Sequence, residues 1–340
     1  MLAWLAVLPG PASADPDDSS GNDTAPESLY EMKHLIELTQ EPTYITLGGG
    51  LNYGGEGRFS NQIFEANLKQ SFHWMDNPQA LQAKGYNGFL TVDMKLRLRM
   101  LSSYSAPVRT PSFMPRLLYY FWLDDQVPEA SDKIYYSLML SHHSNGQEGA
   151  FYNPDGTLNT KSGNFSTNYL QLAYYRLWGE RHEPDWSSFS LDWHPGFGRE
   201  KGLKGQYEEL KLNYTMRTGA LEVAGYLDRG TLTNQSAISY TLLGRRWVVA
   251  PNAKAPNIPP VKTKPWDNIQ FSTAFNYRVP GWEDIRLYLK YDYGYDYYNI
   301  HFRERLNRIQ FGFSGDSFQM GSGAAACSGR IDDDNCAHNE

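Results

Sequence analysis

The 340-residue chain has little cysteine, no strong excess of either charge and no long apolar run. Its two cysteines, Cys327 and Cys336, lie close together, so a disulfide between them would close only a local loop and contribute little to the fold. A net charge of −7 gives no indication of a nucleic-acid partner. Beyond the first few residues no stretch of about 18 apolar residues occurs, which excludes a transmembrane helix. A transmembrane barrel is still compatible with the absence of long apolar runs, because its strands are apolar only at every second position.

The beginning of the chain has the composition of an export signal. Residues 1–8 are apolar, and the small residues Ala12, Ser13 and Ala14 follow shortly after. This pattern is typical of a signal peptide whose basic first part is missing, with cleavage predicted after Ala14; a buried core strand is the alternative. We therefore divide the sequence into a signal peptide remnant (1–14), an N-terminal extension (15–60), a barrel (61–315) and a flexible C-terminal tail (316–340).

Aromatic residues are abundant, and apolar and polar residues alternate over much of the chain. In the segment 90–100 the even positions are all apolar, whereas the odd positions are Thr, Asp, Lys, Arg and Arg. Such alternation predicts strands with one apolar and one polar face. The candidate strands cover residues 63–74, 90–100, 113–123, 133–144, 165–178, 186–194, 207–216, 220–226, 237–249, 269–277, 285–293 and 306–313.

Two architectures explain these strands. A soluble sandwich or barrel would carry the charged face outside. A membrane barrel would carry it inside, in a lumen of paired charges. Strands of about ten residues match a tilted bilayer crossing, and apolar faces that end in Trp, Tyr or Phe are typical of interfacial girdles. We therefore predict an all-β fold, an antiparallel transmembrane β-barrel of about 12 strands.

One strand carries polar residues on its apolar face. His142 and Ser144 share a face with Leu138 and Leu140, at the end of the candidate strand 133–144. Their Cα atoms are about 6.5–7 Å apart, so the imidazole can reach the serine oxygen and activate it as a nucleophile. Asn168 has the matching parity on the next strand, and antiparallel pairing would bring its carbonyl to the imidazole.

The turn that follows supplies candidate oxyanion donors. Asn145 and Gly146 come directly after the strand, and a glycine there allows backbone N–H groups to point back at the serine. We take the amides of Gly146 and Ser144 as candidate donors to an acyl oxyanion. Each feature alone has a simpler explanation: His-x-Ser is common by chance, and Asn-Gly is a turn signal. Three such residue types on one outward face together favour ester chemistry on a lipid substrate.

The run of residues 142–146 resembles the H-x-S-N-G active-site motif of the outer membrane phospholipase A family, twelve-stranded barrel enzymes of Gram-negative bacteria. The likeness extends to residues 107–109 with 113–115, to 168–170 and to 295–299. It therefore covers most of the chain from about residue 44 to 315.

This resemblance implies an outer membrane enzyme that hydrolyses acyl esters of phospholipids and lysophospholipids, requires Ca²⁺ and is active as a homodimer. In that family a Ser-His-Asn triad lies on the outside of the barrel. By resemblance Ser144 is the nucleophile, His142 the base, Asn168 the orienting residue, and the Gly146 amide an oxyanion donor. The alternative is a non-catalytic outer membrane barrel, either a narrow pore or a structural lipid-binding protein, with a degenerate motif.

The sequence departs from the family pattern in three places. His143 occupies the variable position of the motif, where its side chain is expected to face the lumen. The loop after the motif is longer than usual, so its calcium ligands are assigned to the Gln147 carbonyl first and to Asn164 or Ser162 next. The family's calcium serine appears as Ala106, which leaves its carbonyl or the neighbouring Ser105.

Overall fold

The computed structural model describes residues 35–50, 62–74, 88–101, 108–122, 132–179, 184–223, 230–244, 265–282, 285–315 and 318–319. The predicted signal segment 1–14, two candidate calcium residues (Ser105 and Ala106) and both cysteines lie outside the described residues. Within these ranges no helix has the length and apolar character needed to cross a membrane.

The described chain forms one antiparallel sheet that closes on itself. β1 pairs with β12 on one side and with β2 on the other, and every other strand pairs with its neighbours in sequence. A two-residue strand, β13 (Phe318–Gln319), runs parallel beside β2. The predicted all-β, twelve-stranded barrel is therefore confirmed. Its strands are β1 (Thr43–Gly50), β2 (Gln62–Trp74), β3 (Gly88–Leu101), β4 (Ser112–Phe121), β5 (Lys133–Ser144), β6 (Ser166–Trp178), β7 (Asp185–Trp193), β8 (Glu208–Val223), β9 (Gly230–Gly244), β10 (Ile269–Arg278), β11 (Arg286–Tyr295) and β12 (Arg305–Gly315).

Two strand predictions were wrong, and their errors cancel in the count. The separate strands predicted at 207–216 and 220–226 form the single strand β8. Its pairing with β9 has a register shift between Thr218 and Leu221, and Gly219 lies in this irregular stretch. Conversely, β1 lies inside the predicted extension 15–60, so the expected start of the barrel at residue 61 is too late. β1 was missed because it ends in three glycines, which weaken the strand pattern.

The faces of the strands are inverted relative to a soluble protein. On β3, Asp93 and Arg99 are each 1% exposed, whereas Met94 between them is 52% exposed. The same contrast recurs around the barrel, with Leu138, Leu172 and Phe311 all at least half exposed. A soluble sandwich or barrel would place its charges outside, so that alternative is wrong. The outward apolar belt instead suits a hydrocarbon environment.

Buried charges in the lumen are paired with one another. Arg308 donates to Glu65 and to Asp292, at 2.9 Å in each case, and Arg99 bridges Glu65 to Asp296. Because an unpaired buried charge is costly, these reciprocal pairs are what allow so polar a strand face to be enclosed.

The N-terminal segment 35–42 enters the lumen from the end opposite Ser144. A helical turn covers residues 35–38, and its Leu35 and Ile36 pack in a cluster that includes Phe89 and Tyr135. Further along, Glu41 pairs with Lys95 and Arg97 of β3. This segment and the charge network fill much of the barrel interior.

The odd-numbered strands end on the side of the barrel where Ser144 lies. The β5–β6, β7–β8 and β11–β12 connections meet there in an apolar cluster over the lumen. The buried members of this cluster, which we call the aromatic cap, are Phe151, Phe165, Leu203, Tyr207, Ile300 and Phe302. The cap gives the loops around Ser144 a packed support.

Candidate active site

The pairing of β5 with β6 brings two candidate residues into contact. His142 and Asn168 lie directly opposite each other in the antiparallel register, as the strand parity predicts. The His142 Nδ1 atom and the Asn168 Oδ1 atom are 2.7 Å apart, a hydrogen-bond distance. Since an amide oxygen only accepts, the imidazole donates from Nδ1, which leaves the Nε2 lone pair free to accept a proton.

Ser144 lies on the same outward face, two residues along β5. Its strand neighbours are Ser166 on β6 and Phe113 on β4. The hydrogen bonds among the described residues do not include one between the Ser144 hydroxyl and the His142 imidazole. The two Cα atoms are about 6.5–7 Å apart along the strand, so a side-chain rotation brings the hydroxyl to Nε2. Catalytic hydrogen bonds commonly tighten only when substrate binds.

Asn145 fixes the turn after the nucleophile. It is 1% exposed, and its Nδ2 atom donates to the Gly163 carbonyl at 2.8 Å. Its Oδ1 atom accepts from the amides of Gln147 and Phe165, at 3.2 and 3.0 Å. These bonds tie both ends of the β5–β6 connection together, so the turn that presents Gly146 is held by side-chain bonds as well as by the backbone.

Gly146 has a conformation that suits an oxyanion donor. Its φ of 64° is in the left-handed region, which favours glycine. Within the described part of the chain, no atom accepts a hydrogen bond from the Gly146 amide. A free N–H beside the serine is what stabilisation of an acyl oxyanion requires.

The surface around these residues is apolar and faces outward. Leu140 and Leu170 lie directly below His142 and Asn168 on their strands, and Trp193 is the neighbour of Leu170 on β7. All three are exposed, as is Phe113 beside Gly146. The candidate residues are thus surrounded by surface that acyl chains can contact.

The other nearby histidines face inward. His143 is fully buried between the rings of Phe165 and Tyr297, with centroid distances of 4.8 and 5.1 Å. Its side chain faces the lumen, as expected. His194 begins the β7–β8 connection, where burial lowers its pKa to about 3. Only His142 of these three is placed to act on an outward substrate.

The candidate calcium residues are brought together only in part. Asn164 lies beside a carboxylate, with its Nδ2 atom 2.8 Å from Glu200 Oε2. The backbone N–H of Gln147 donates to Asn145 Oδ1, which leaves the backbone carbonyl of Gln147 available to a cation. Ser162 is turned into its own loop, since its carbonyl accepts from Gly149 and its hydroxyl from Asn159. The described residues include no cluster of three acidic, histidine or cysteine ligands. Amide, carbonyl and carboxylate oxygens are nevertheless the donors that Ca²⁺ prefers.

Sequence reasoning missed the β7–β8 connection as part of the site. The Phe197 carbonyl accepts a bond from Asn168 Nδ2, and Glu200 contacts Asn164. The only signal was a phenylalanine flanked by two glycines, Gly196 and Gly198. A turn is the ordinary interpretation of such a run, and which residue it contacts depends on the tertiary fold.

Solved structures with this fold include phospholipases. The chain is similar to outer membrane phospholipase A from Escherichia coli, with a TM-score of 0.50, 13% identity, and coverage of 84% of this chain and 97% of that chain. An active-site mutant of the same protein gives a TM-score of 0.51 at the same identity and coverage. The Salmonella typhi outer membrane phospholipase dimer with bound calcium also gives 0.51, at 13% identity and the same coverage.

No family model matches the sequence, and no curated protein matches it. At 13% identity the structural likeness shows the fold alone. The chain has the barrel architecture of outer membrane phospholipases.

Proposed function

We propose that this protein is an outer membrane phospholipase that hydrolyses acyl esters of phospholipids and lysophospholipids. The observation that carries the proposal is the His142–Asn168 hydrogen bond on the outward face, with Ser144 two residues further on that face. A base oriented by an amide next to a hydroxyl is an arrangement for nucleophilic catalysis. Its position on the apolar outside of a barrel matches a substrate that lies in the membrane.

The proposed reaction begins with attack by Ser144 Oγ on the ester carbonyl carbon while His142 Nε2 takes the hydroxyl proton. Asn168 Oδ1 holds the Nδ1–H of the imidazolium that forms, and the amide of Gly146 donates to the oxyanion. Collapse breaks the ester bond, and His142 returns the proton to the departing alkoxide. Water, deprotonated by His142, then hydrolyses the acyl-serine to a fatty acid and restores the enzyme.

Calcium is proposed as the cofactor, held by the Gln147 carbonyl and Asn164, with Ser105 or the Ala106 carbonyl as further ligands. Bound there, Ca²⁺ would supply positive charge near the developing oxyanion. One of the structural neighbours was solved as a dimer with bound calcium. We extend the proposal to a homodimer in a Gram-negative outer membrane, with membrane phospholipids as substrate.

Removal of calcium tests this part of the proposal directly. We expect purified protein in detergent to release fatty acid from phospholipid in mixed micelles when Ca²⁺ is present. Chelation by EDTA is expected to lower the rate by about 10²-fold or more, because one lost oxyanion-stabilising group has an effect of that size. Re-addition of Ca²⁺ should restore the rate, while Mg²⁺, which prefers a smaller octahedral site, should not. Equal rates with and without EDTA would contradict the calcium assignment but not the triad.

The non-catalytic barrel makes a different prediction. A narrow pore needs a continuous lumen, whereas the described interior holds the segment 35–42 and the paired charges. The space left beside them includes two adjoining cavities of about 310 and 260 Å³, which share Glu41 and Lys290 in their linings. Absence of fatty acid release under calcium, by wild-type protein that is folded and dimeric, would favour this alternative.

A further inference from the structure

The first residues of β6 extend beyond the end of β7, the strand that pairs with the rest of β6 on that side. β7 pairs with β6 only from Leu170 to Trp178, so residues 166–169 have no β7 partner. The β7–β8 connection turns back beside them instead. Glu200 donates its amide to the Ser166 carbonyl at 2.8 Å, and the Ser166 hydroxyl donates to the Gly198 carbonyl at 3.1 Å. We call residues 197–200 the strap.

The strap contacts Asn168 at its amide nitrogen. Asn168 Nδ2 donates to the Phe197 carbonyl at 3.2 Å, while Oδ1 faces His142. A carbonyl oxygen can only accept a hydrogen bond, so the NH₂ end of the amide must be the end that faces Phe197. This bond therefore fixes which end of Asn168 reaches the imidazole.

The orientation of the amide selects the tautomer of His142. With Oδ1 facing the ring, the proton lies on Nδ1 and the Nε2 lone pair is available to Ser144. A reversed amide would present N–H to Nδ1 and favour the tautomer with its proton on Nε2. That tautomer cannot take the serine proton, so a reversed amide would leave the base inactive.

Gly198 allows this contact by its size. A Cβ atom at this position would overlap Asn168 Nδ2, well inside van der Waals contact. Its φ of 63° adds a backbone preference for glycine. Gly205 in the same connection has a similar φ of 72°, but a Cβ atom there would meet nothing within 4 Å. The two glycines therefore share the backbone requirement and differ in the contact.

The strap is itself anchored away from the triad. Glu200 accepts from Asn164 Nδ2 at 2.8 Å and from the Gly202 amide at 3.3 Å. Three residues after Glu200, Leu203 is fully buried in the aromatic cap. An element held in this way can resist rotation of the Asn168 amide.

We propose that Phe197 and Gly198 are positioning residues that hold Asn168 with its carbonyl toward His142 and so keep His142 in the base-competent tautomer. This inference rests on the proposed function for its catalytic consequence. The tautomer of His142, however, can be measured whether or not the protein hydrolyses lipid.

The first test compares Gly198→Ala with Gly205→Ala in the full-length protein. We expect Gly198→Ala to lower kcat by about 10²-fold, since a displacement of about 1 Å in a catalytic group has that effect. The apparent KM should change less than kcat, because the added methyl displaces the Asn168 amide, which orients the base and does not bind lipid. Gly205→Ala imposes the same φ penalty without the overlap, so its kcat should match the wild type. In an Asn168→Ala background, Gly198→Ala should have little further effect, because the amide it displaces is absent.

The second test measures the tautomer of His142 by ¹⁵N NMR of imidazole-labelled protein in micelles, with the signal assigned by its loss in His142→Gln. We expect the Nδ1–H form in the wild type and in Gly205→Ala, and an increased share of the Nε2–H form in Gly198→Ala. An unchanged tautomer in Gly198→Ala, or equal kcat losses in both glycine variants, would overturn the strap proposal. A tautomer shift in a protein that hydrolyses no lipid would overturn the proposed function and leave the strap intact.

Discussion

Replacement of Ser144 by alanine is expected to abolish phospholipid hydrolysis. Loss of a triad nucleophile lowers kcat by about 10⁴–10⁶-fold, and whatever rate remains comes from the oxyanion donors and from binding. The barrel itself should be unaffected, because Ser144 is at the end of β5 and its outward side chain supports no other described residue. Fatty acid release from mixed micelles under saturating Ca²⁺, measured beside the heat-modifiable mobility of the folded barrel, checks both expectations.

Ser141 provides a matched control on the same strand. Its side chain is buried toward the lumen and donates to the Pro115 carbonyl at 3.3 Å. Ser141→Ala removes the same atom from the other face of β5, so hydrolysis should stay at the wild-type rate. Full activity in Ser144→Ala, or loss of activity in both variants, would contradict the assignment of the nucleophile.

Replacement of His142 by alanine is expected to have the second largest effect, a fall in kcat of about 10³–10⁵-fold. The variant loses both the acceptor for the serine proton and the donor that returns it to the leaving group. The apparent KM should change little, because the imidazole acts in the transition state rather than in lipid binding. Steady-state kinetics at constant Ca²⁺ measure the two parameters separately.

The neighbouring histidine is the control for this variant. His143 packs between Phe165 and Tyr297, so alanine there would leave a cavity under the aromatic cap. His143→Phe keeps an aromatic ring in that space and is expected to keep wild-type kcat. If His143→Phe lost as much activity as His142→Ala, the assignment of the outward and inward faces of β5 would be wrong.

Much of the barrel could be predicted because strand parity is a local property. The alternation in residues 90–100 identifies β3 and its two faces, and the even strand count follows from repeated segments of the same kind. β1 could not be recognised from the sequence pattern, because three glycines at its end carry no side chains that alternate. These residues are in the barrel through their backbone pairing with β12. The split of β8 into two predicted strands, 207–216 and 220–226, has a similar cause, since the pairing with β9 continues across a register shift between Thr218 and Leu221.

In the candidate site, too, the features that depend on strand parity could be predicted, and the contacts between distant segments could not. A shared outward face for His142, Ser144 and Asn168 could be predicted, because it follows from strand parity and antiparallel pairing. The strap could not be predicted, because the contact of Phe197 with Asn168 joins the β7–β8 connection to β6. It also depends on β7 leaving residues 166–169 of β6 without a partner on that side, which the sequence pattern does not show. The entry of Glu41 into the lumen was missed as well, since its partners Lys95 and Arg97 are far away in sequence.

Ser144 is proposed to act as an activated nucleophile, and its reactivity can be measured directly. A long-chain alkyl sulfonyl fluoride reacts covalently with such a serine and not with an ordinary hydroxyl, and mass spectrometry locates the adduct on the chain. We predict one adduct per chain, on Ser144, that is absent in Ser144→Ala and strongly reduced in His142→Ala. Wild-type protein that stays unmodified would contradict the assignment of Ser144 as the nucleophile. So would an adduct on another residue that forms at the same rate in His142→Ala.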